Sequence, residues 1–433
     1  MGATIETLRS GQWLTRERMR LWSIAVLLAS AAGFLYILAT SNGLIDFQGR
    51  PIGTDFSNVY AAGTYVLEGK AQLAFDWPAQ HARERAIFGD ATPFYGWHYP
   101  PFFLFVAGAL AIMPYTLALF VWQFVTLLLY LGMIWTVLRA VSVDTGGAPN
   151  LLTRDPLWLL AAIAYPAVFV NVGHGHNGFL TAALLGTALV TLDKRPWLSG
   201  VLFGLIAYKP QFGLLIPLVL LATGRWITLL SASLTVIALG IATYVVFGAE
   251  VWHAFFASME LTRVRVLEQG ETGWHKIQSV FSWVRMWGAP VRFAYLAQGL
   301  ATLALAISVI WLWRSRAAMP LKAAALTIAA ILATPYSLDY DFVVLAVAIA
   351  FFAADGFTRG FSAWEKTALA FMWLVPLIAR SVAEYALIPL GVPAMLAVFA
   401  LILRRAATDL DTCLLYTSPS PRDRTRSRMP SSA

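Results

Sequence analysis

With one cysteine in the whole chain, Cys413, no internal disulfide can form and no thiolate cluster can hold a metal. Charge is scarce as well. Only 12% of the 433 residues are Asp, Glu, Lys or Arg, against about 25% in soluble domains, too few for a water-facing surface. No glycine-rich phosphate loop stands in the chain, so no nucleotide-binding domain is expected. No internal repeat is visible either. What fills the sequence is apolar: 59% hydrophobic residues and a mean hydropathy of +0.68. The 17 tryptophans and 27 phenylalanines fit interfacial aromatic belts. This is the composition of an all-α polytopic membrane protein.

The formal charge of +8 does not point to nucleic acid, and no nucleic-acid partner is expected. Residues 422–428 supply four arginines and one aspartate. Much of the rest flanks apolar runs: Arg9, Arg16, Arg18 and Arg20 before the first, Arg404 and Arg405 after the last. Those are cytoplasmic positions under the positive-inside rule. From residue 413 to 433 the composition turns abruptly to Ser, Pro, Arg and Asp, and this tail is set aside as disordered or non-native. Residues 1–20 then form a cytoplasmic N-terminus, and 21–405 the membrane domain.

Twelve apolar runs are expected to cross: 21–40, 116–138, 157–172, 179–192, 198–208, 212–223, 227–247, 295–313, 322–334, 342–354, 366–382 and 389–403. The first is an uncleaved helix of about the spanning length. A further run, 101–113, is bracketed by Pro100, Pro101 and Pro114. As a helix it would reach about 20 Å, short of the ~30 Å hydrocarbon core. Charge parity treats it the same way. If it does not cross, then Arg139, Arg154, Lys194, Arg195, Arg225, Arg314, Arg316, Lys322, Arg359 and Lys366 all fall inside with the N-terminus. It is therefore expected to be interfacial or re-entrant. Several crossing runs have only 11 to 16 residues. Short helices joined by polar turns carry polar groups below the membrane surface, where they must line a cavity or be shielded by protein.

Two long stretches fall outside, 41–115 and 248–294. In the first, Phe56, Val59, Tyr60, Gly63, Val66 and Leu67 recur at helical spacing, with Gly69 as a stop, and 78–88 forms a second, polar helix. In the second, Val251, Trp252, Phe255, Phe256 and Met259 make an apolar stripe suited to the interface.

Four polar clusters reach this same outer side. Asp55 follows Gly53-Thr54 at the start of the first-loop helix. It is either an N-cap or a general base for an acceptor hydroxyl, and helix terminus and burial pull its pKa in opposite directions. His174, His176 and Asn177 lie in a Gly-rich turn. The histidine spacing suits zinc poorly, so no metal is expected; hydrogen bonding to a phosphate or sugar and an inert turn remain open. Lys209 and Gln211 share a turn between apolar runs, where the lysine either snorkels or meets an anion. Asp339 and Asp341 cap a helix, bind sugar hydroxyls, or form an acid/base pair. Arg263, Arg265, His275 and Lys276 make the second outer stretch basic.

The order of motifs resembles a known family: Asp55, Tyr60-Ala61-Ala62-Gly63, Leu67-Glu68-Gly69, Phe75-Asp76 and Tyr99-Pro100-Pro101-Phe102 in the first stretch. Then come the histidine turn, Tyr208-Lys209-Pro210, Gln278-Ser279 and Thr334-Pro335. Over about 21–405 the chain resembles the polyprenol-phosphate-mannose-dependent mannosyltransferases of the GT-C superfamily. The resemblance implies a GT-C fold with about twelve transmembrane helices and interfacial helices in the first outer loop. It also implies transfer of a hexose, mannose by analogy, from a polyprenyl-phosphate donor to a glycolipid or glycan hydroxyl, with inversion, at the outer face of a bacterial plasma membrane. Asp55 matches the family's catalytic carboxylate, which by analogy acts as the base. Lys209 and the histidine turn would steady the leaving phosphate, and Tyr60, Gln211, Asp339 and Asp341 complete the substrate-binding set, with no cofactor. The chain departs from its relatives at His176, usually Gln, and at Tyr340 and Asp341, where relatives carry histidines, which leaves the sugar open. A transporter or flippase of lipid-linked sugars is the alternative, against which stand the missing repeat and the one-sided polar groups.

Overall fold

The computed structural model describes residues 2–148 and 150–417, with side chains up to Leu410. Among these residues the secondary structure is helical, with isolated β-bridges and no strand. A short α1 (Gly2–Ser10) precedes the first long apolar helix, α2 (Arg16–Ala39), whose N-cap Thr15 accepts the Arg18 N–H. The first outer stretch holds α3 (Thr54–Leu67), α4 (Trp77–Phe88) and α5 (Leu104–Ala111). Asp76 caps α4 by accepting the Ala79 N–H. The polar helix and the amphipathic helix expected from the sequence are thus both present. α5 packs along α3 through two glycines. A Cβ on Gly63 would lie 2.2 Å from the Ala107 carbonyl oxygen, and one on Gly108 would lie 2.7 Å from Val66. The 101–113 run therefore belongs structurally to the outer-loop unit.

The membrane domain continues through α6 (Tyr115–Asp144), α7 (Leu157–Ile163), α8 (Pro166–His174), α9 (Gly178–Thr191), α10 (Pro196–Leu205), α11 (Ile216–Ala222) and α12 (Trp226–Phe247). The second outer stretch contributes α13 (Ala249–Thr262) and α14 (Val280–Met286). Then follow α15 (Val291–Arg314), α16 (Met319–Leu332), α17 (Leu345–Arg359), α18 (Glu365–Leu374), α19 (Ala379–Ala386) and α20 (Gly391–Thr417). Every apolar run of the sequence is helical. α20 continues to Thr417, five residues into the segment that composition set aside; 418–433 lie outside the described residues.

Among the described residues six helices are long and apolar enough to cross a membrane, and up to eight spans result if each of two bent pairs counts as one. The α7/α8 pair bends by 44° at Pro166 and the α18/α19 pair by 74° at Ile378. Helices 178–191, 196–208, 210–222 and 319–332 are shorter. At 1.5 Å per residue a 14-residue helix covers about 21 Å. α16 is buried along almost its whole length and α9 along most of it, whereas α2 and α12 turn most of their surface outward. The short helices α10 and α11 bury one face and expose the other, with Trp197, Leu205, Leu218 and Leu221 outward. The turns at the ends of these short helices, at His176 and Lys209, are buried in the protein.

Charges sort the two ends of the molecule. At one end Arg16 forks onto Asp155 (2.7 and 2.8 Å), Lys194 reaches Asp144, Arg225 reaches Asp193, and Arg405 lies between Asp355 and Glu365. The Trp364 N–H donates to the Arg9 carbonyl, tying α1 to that end. These are the loops that charge parity places together. The polar turns of α3, α8, α10 and α16 gather away from them, as described next.

Candidate active site

Asp55 lies in the first turn of α3. The N-cap is Gly53, at φ 74°, and no side chain caps the helix, so Asp55 is not the N-cap that the sequence allowed. Its carboxylate is partly buried, and burial pushes its pKa up despite the opposing pull of His174. Of the two effects left open by the sequence, desolvation outweighs the charge stabilisation.

The histidine turn is folded against this helix start. α8 ends at His174, and Gly175 takes the left-handed conformation (φ 64°) that closes a helix C-terminus. A Cβ there would lie 2.5 Å from the Cβ of Phe56, so only glycine lets the turn approach α3. The result is contact between elements 120 residues apart. His174 Nδ1 lies 2.7 Å from the Thr54 hydroxyl and 3.8 Å from an Asp55 oxygen. Asn171 fixes the turn from inside: its amide donates to the His176 carbonyl (3.1 Å) and its oxygen accepts the Gly178 N–H (3.0 Å). His176 is buried and stacks on the Tyr340 ring at 3.7 Å between centroids, with Nε2 3.4 Å from the Tyr99 hydroxyl. Its Nδ1 has no partner among the described residues. The buried Asn177 side chain lies against the Tyr99 hydroxyl. A buried ring nitrogen without a partner is open to a hydrogen bond from a ligand or water.

Lys209 does not snorkel. It is buried, and its ammonium donates to Asp341 Oδ1 at 2.6 Å. The other Asp341 oxygen accepts the Leu338 N–H at 3.1 Å, so Asp341 secures the start of the 339–344 turn. The pair welds the α10 turn to the one after α16. Lys209 thus has its charge matched within the protein. Asp339 is paired separately, with Arg380 at the start of α19, and its second oxygen is buried without a partner. The same guanidinium lies 3.3 Å from His174 Nε2. The two aspartates therefore sit in two distinct ion pairs.

Asp55, His174, His176, Asn177, Lys209, Asp339 and Asp341 are brought together. Two candidates stand apart. Tyr60 donates to the Met113 carbonyl (2.9 Å) and packs on Phe56 and Tyr115, bracing α3 against the start of α6. Gln211 is half-buried and makes no side-chain hydrogen bond among the described residues. Arg380 and Tyr99 were missed. Arg380 had a visible signal, as a charged residue inside the apolar run 366–382. Tyr99 had none beyond its place in a motif. Lys276, from the basic outer stretch, is half-buried and has no ion-pair partner among the described residues; Asp55, Asp339 and Arg380 all act on its charge. No group of three or more potential metal ligands occurs among the described residues.

The model of glycosyltransferase family 87 matches residues 97–335, a stretch that holds Tyr99, the histidine turn, Lys209 and Lys276. No curated protein and no solved structure matches the chain. Asp55 precedes the matched region, and Asp339, Asp341 and Arg380 follow it; Asp55, Asp341 and Arg380 contact it directly, and Asp339 reaches it through Arg380. The match takes in more than half of the 433 residues, and the chain belongs to glycosyltransferase family 87 as a multi-pass membrane glycosyltransferase.

Proposed function

We propose that the protein transfers a hexose, mannose by the resemblance above, from a polyprenyl-phosphate donor to a hydroxyl of a glycolipid or glycan at the outer face of a bacterial plasma membrane. One observation carries the assignment of roles. Asp339 and Asp341 are each neutralised by a cation, whereas Asp55 has no lysine or arginine at ion-pair distance among the described residues. It is the one carboxylate of the cluster free to take a proton. In the proposed reaction Asp55 removes the proton of the acceptor hydroxyl, and that oxygen bonds to the anomeric carbon from the side opposite the phosphate. The bond from anomeric carbon to phosphate oxygen breaks with its electron pair, leaving polyprenyl phosphate and an inverted linkage. Lys276, which has no ion-pair partner among the described residues and whose charge Arg380, Asp339 and Asp55 all influence, meets the charge developing on that phosphate. The unpartnered Nδ1 of His176, with the Asn177 amide beside it, suits sugar hydroxyls. The outward direction of the site rests on the basic loops gathered at the opposite end.

The test is transfer by purified protein in lipid nanodiscs, with radiolabelled mannose, glucose, arabinose and galactosamine on polyprenyl phosphate. Transfer from one of these donors is expected, with Asp55→Asn reducing it by on the order of 10²–10⁴-fold while expression and folding are kept. The wild-type rate should fall as pH drops through the Asp55 pKa, which burial sets above the ordinary carboxylate value. Full activity in Asp55→Asn would remove Asp55 from the reaction, and no transfer from any of the four donors would reject the donor class.

A further inference from the structure

His174 stands between two groups of opposite character. On its Nε2 side, at 3.3 Å, is the guanidinium of Arg380. On its Nδ1 side are the Thr54 hydroxyl at 2.7 Å and the Asp55 carboxylate at 3.8 Å. Tyr340 packs edge-on against the ring at 5.6 Å, and His176 and Asp339 complete the surrounding titratable groups. An arginine side chain has five donors and no acceptor, and keeps its protons at all working pH values. A ring nitrogen that faces it must therefore present a lone pair. That fixes Nε2 as an acceptor and puts the imidazole proton on Nδ1, where it points at Thr54 and Asp55. Arg380 is itself oriented by Asp339, with which it forms an ion pair through Nε. It stands two residues after the 74° bend at Ile378, in the first turn of α19.

We propose that Arg380, held by Asp339, is a positioning residue that sets the tautomer of His174, so that an Nδ1–H donor faces Thr54 and the Asp55 carboxylate. This rests on the reading of Asp55 as the base. In the opposite tautomer the Nδ1 lone pair would face that carboxylate, repelling it and leaving the Thr54 hydroxyl to reverse its own bond. Orientation of an acid/base residue by a partner that fixes a histidine tautomer is a known way of sustaining catalysis, and a wrong tautomer leaves geometry intact while the rate collapses. Arg380 acts through His174, and nothing in the inference requires it to touch the donor.

The tautomer can be observed directly. The chain has six histidines, so ¹⁵N-histidine-labelled protein in nanodiscs gives a tractable spectrum, with the His174 signals assigned by difference against His174→Gln. Without substrate, wild-type His174 is expected to show a protonated Nδ1 and an unprotonated Nε2. Arg380→Gln, whose amide can accept as well as donate, is expected to give a mixture of tautomers. A protonated Nε2 in the wild type, or an unchanged spectrum in Arg380→Gln, overturns the proposal. In the transfer assay Arg380→Gln is expected to lower kcat by on the order of 10²-fold with KM little changed, whereas Arg380→Lys, still a donor with no acceptor, is expected to keep more of the rate. Wild-type kcat in Arg380→Gln also overturns it, as does a loss confined to KM. The spectrum needs no donor, so it decides the tautomer even if none of the four polyprenyl-phosphate sugars is a substrate.

Discussion

Glu84 is wholly buried beneath the first outer loop, where its carboxylate accepts the N–H groups of Tyr95 (3.2 Å) and Gly96 (3.3 Å). Burial outweighs those bonds and pushes its pKa from 4.5 up to about 7. Below pH 4.5 the folded and unfolded chains both hold the proton, and stability is full. Between there and about pH 7 the unfolded chain releases a proton that the fold keeps, so stability falls as pH rises. Above about 7 the loss levels off, at an order-of-magnitude figure of about 3 kcal/mol. Glu84→Gln keeps an acceptor for the two N–H groups, and its new amide protons face Gln80, whose side-chain oxygen has no partner. The variant is expected to unfold at a higher temperature than wild type at pH 8 and at a similar one at pH 4.5. Parallel melting curves at both pH values would show that Glu84 is not the titrating group. Nothing in the sequence marked this residue, because a glutamate in a polar helix has no contrast with its neighbours. His176, Lys209 and Asp341 stood out for the opposite reason, as polar groups beside apolar runs, and Asp55 as an acidic residue opening an amphipathic helix. Their partners were not legible: ion pairs such as Lys209–Asp341, 132 residues apart, are decided by packing alone.

Local pattern carried further for elements. The helical period of Phe56 to Leu67 and the stop at Gly69 match α3, and the stripe Val251 to Met259 matches α13. Bends were not read from hydropathy, which measures how apolar a run is and not whether it is straight, although Pro166 and Pro376 stand inside two of the runs. The 366–382 run reads as one span and is two helices at 74°. Close crossings were equally hidden, although one of them positions the helix that carries Asp55. α3 meets α5 at Gly63, with no room for a methyl group before the Ala107 carbonyl. Backbone cannot give way there as a flexible side chain would. Gly63→Ala is expected to cost about 1–3 kcal/mol by overpacking, and to lower transfer by tilting Asp55 away from His174. The comparison is Gly69→Ala, at the end of the same helix, where a Cβ meets nothing within 4 Å but φ is +70°. It should lose stability through backbone strain while kcat stays near wild type. Equal losses of kcat in both variants would mean that α3 does not need the α5 contact to place Asp55.

For the whole molecule, charge counting led to a sided arrangement, and the structure has two chemically distinct ends. Twelve crossings remain the sequence's expectation; helix length alone supports six to eight, because helices too short to span alone carry the turns of the site. Sidedness does not depend on that count. Loops that bond to one another must lie on one side, and Asp155, Asp144, Asp193 and Asp355 with their arginine and lysine partners make up one such set. Asp55, His174, Lys209, Asp341, Asp339 and Arg380 make up the other. With Cys413 replaced by Ser, single cysteines at the exposed positions Gln48 and Gln269 should react with a membrane-impermeant thiol reagent in intact cells. Cysteines at Asn150 and Arg316 should react only after the membrane is opened. Reaction of all four from outside would contradict the arrangement. Labelling of Asn150 and Arg316 alone would invert it and place the sugar donor on the cytoplasmic leaflet, where the positive-inside rule does not expect these loops.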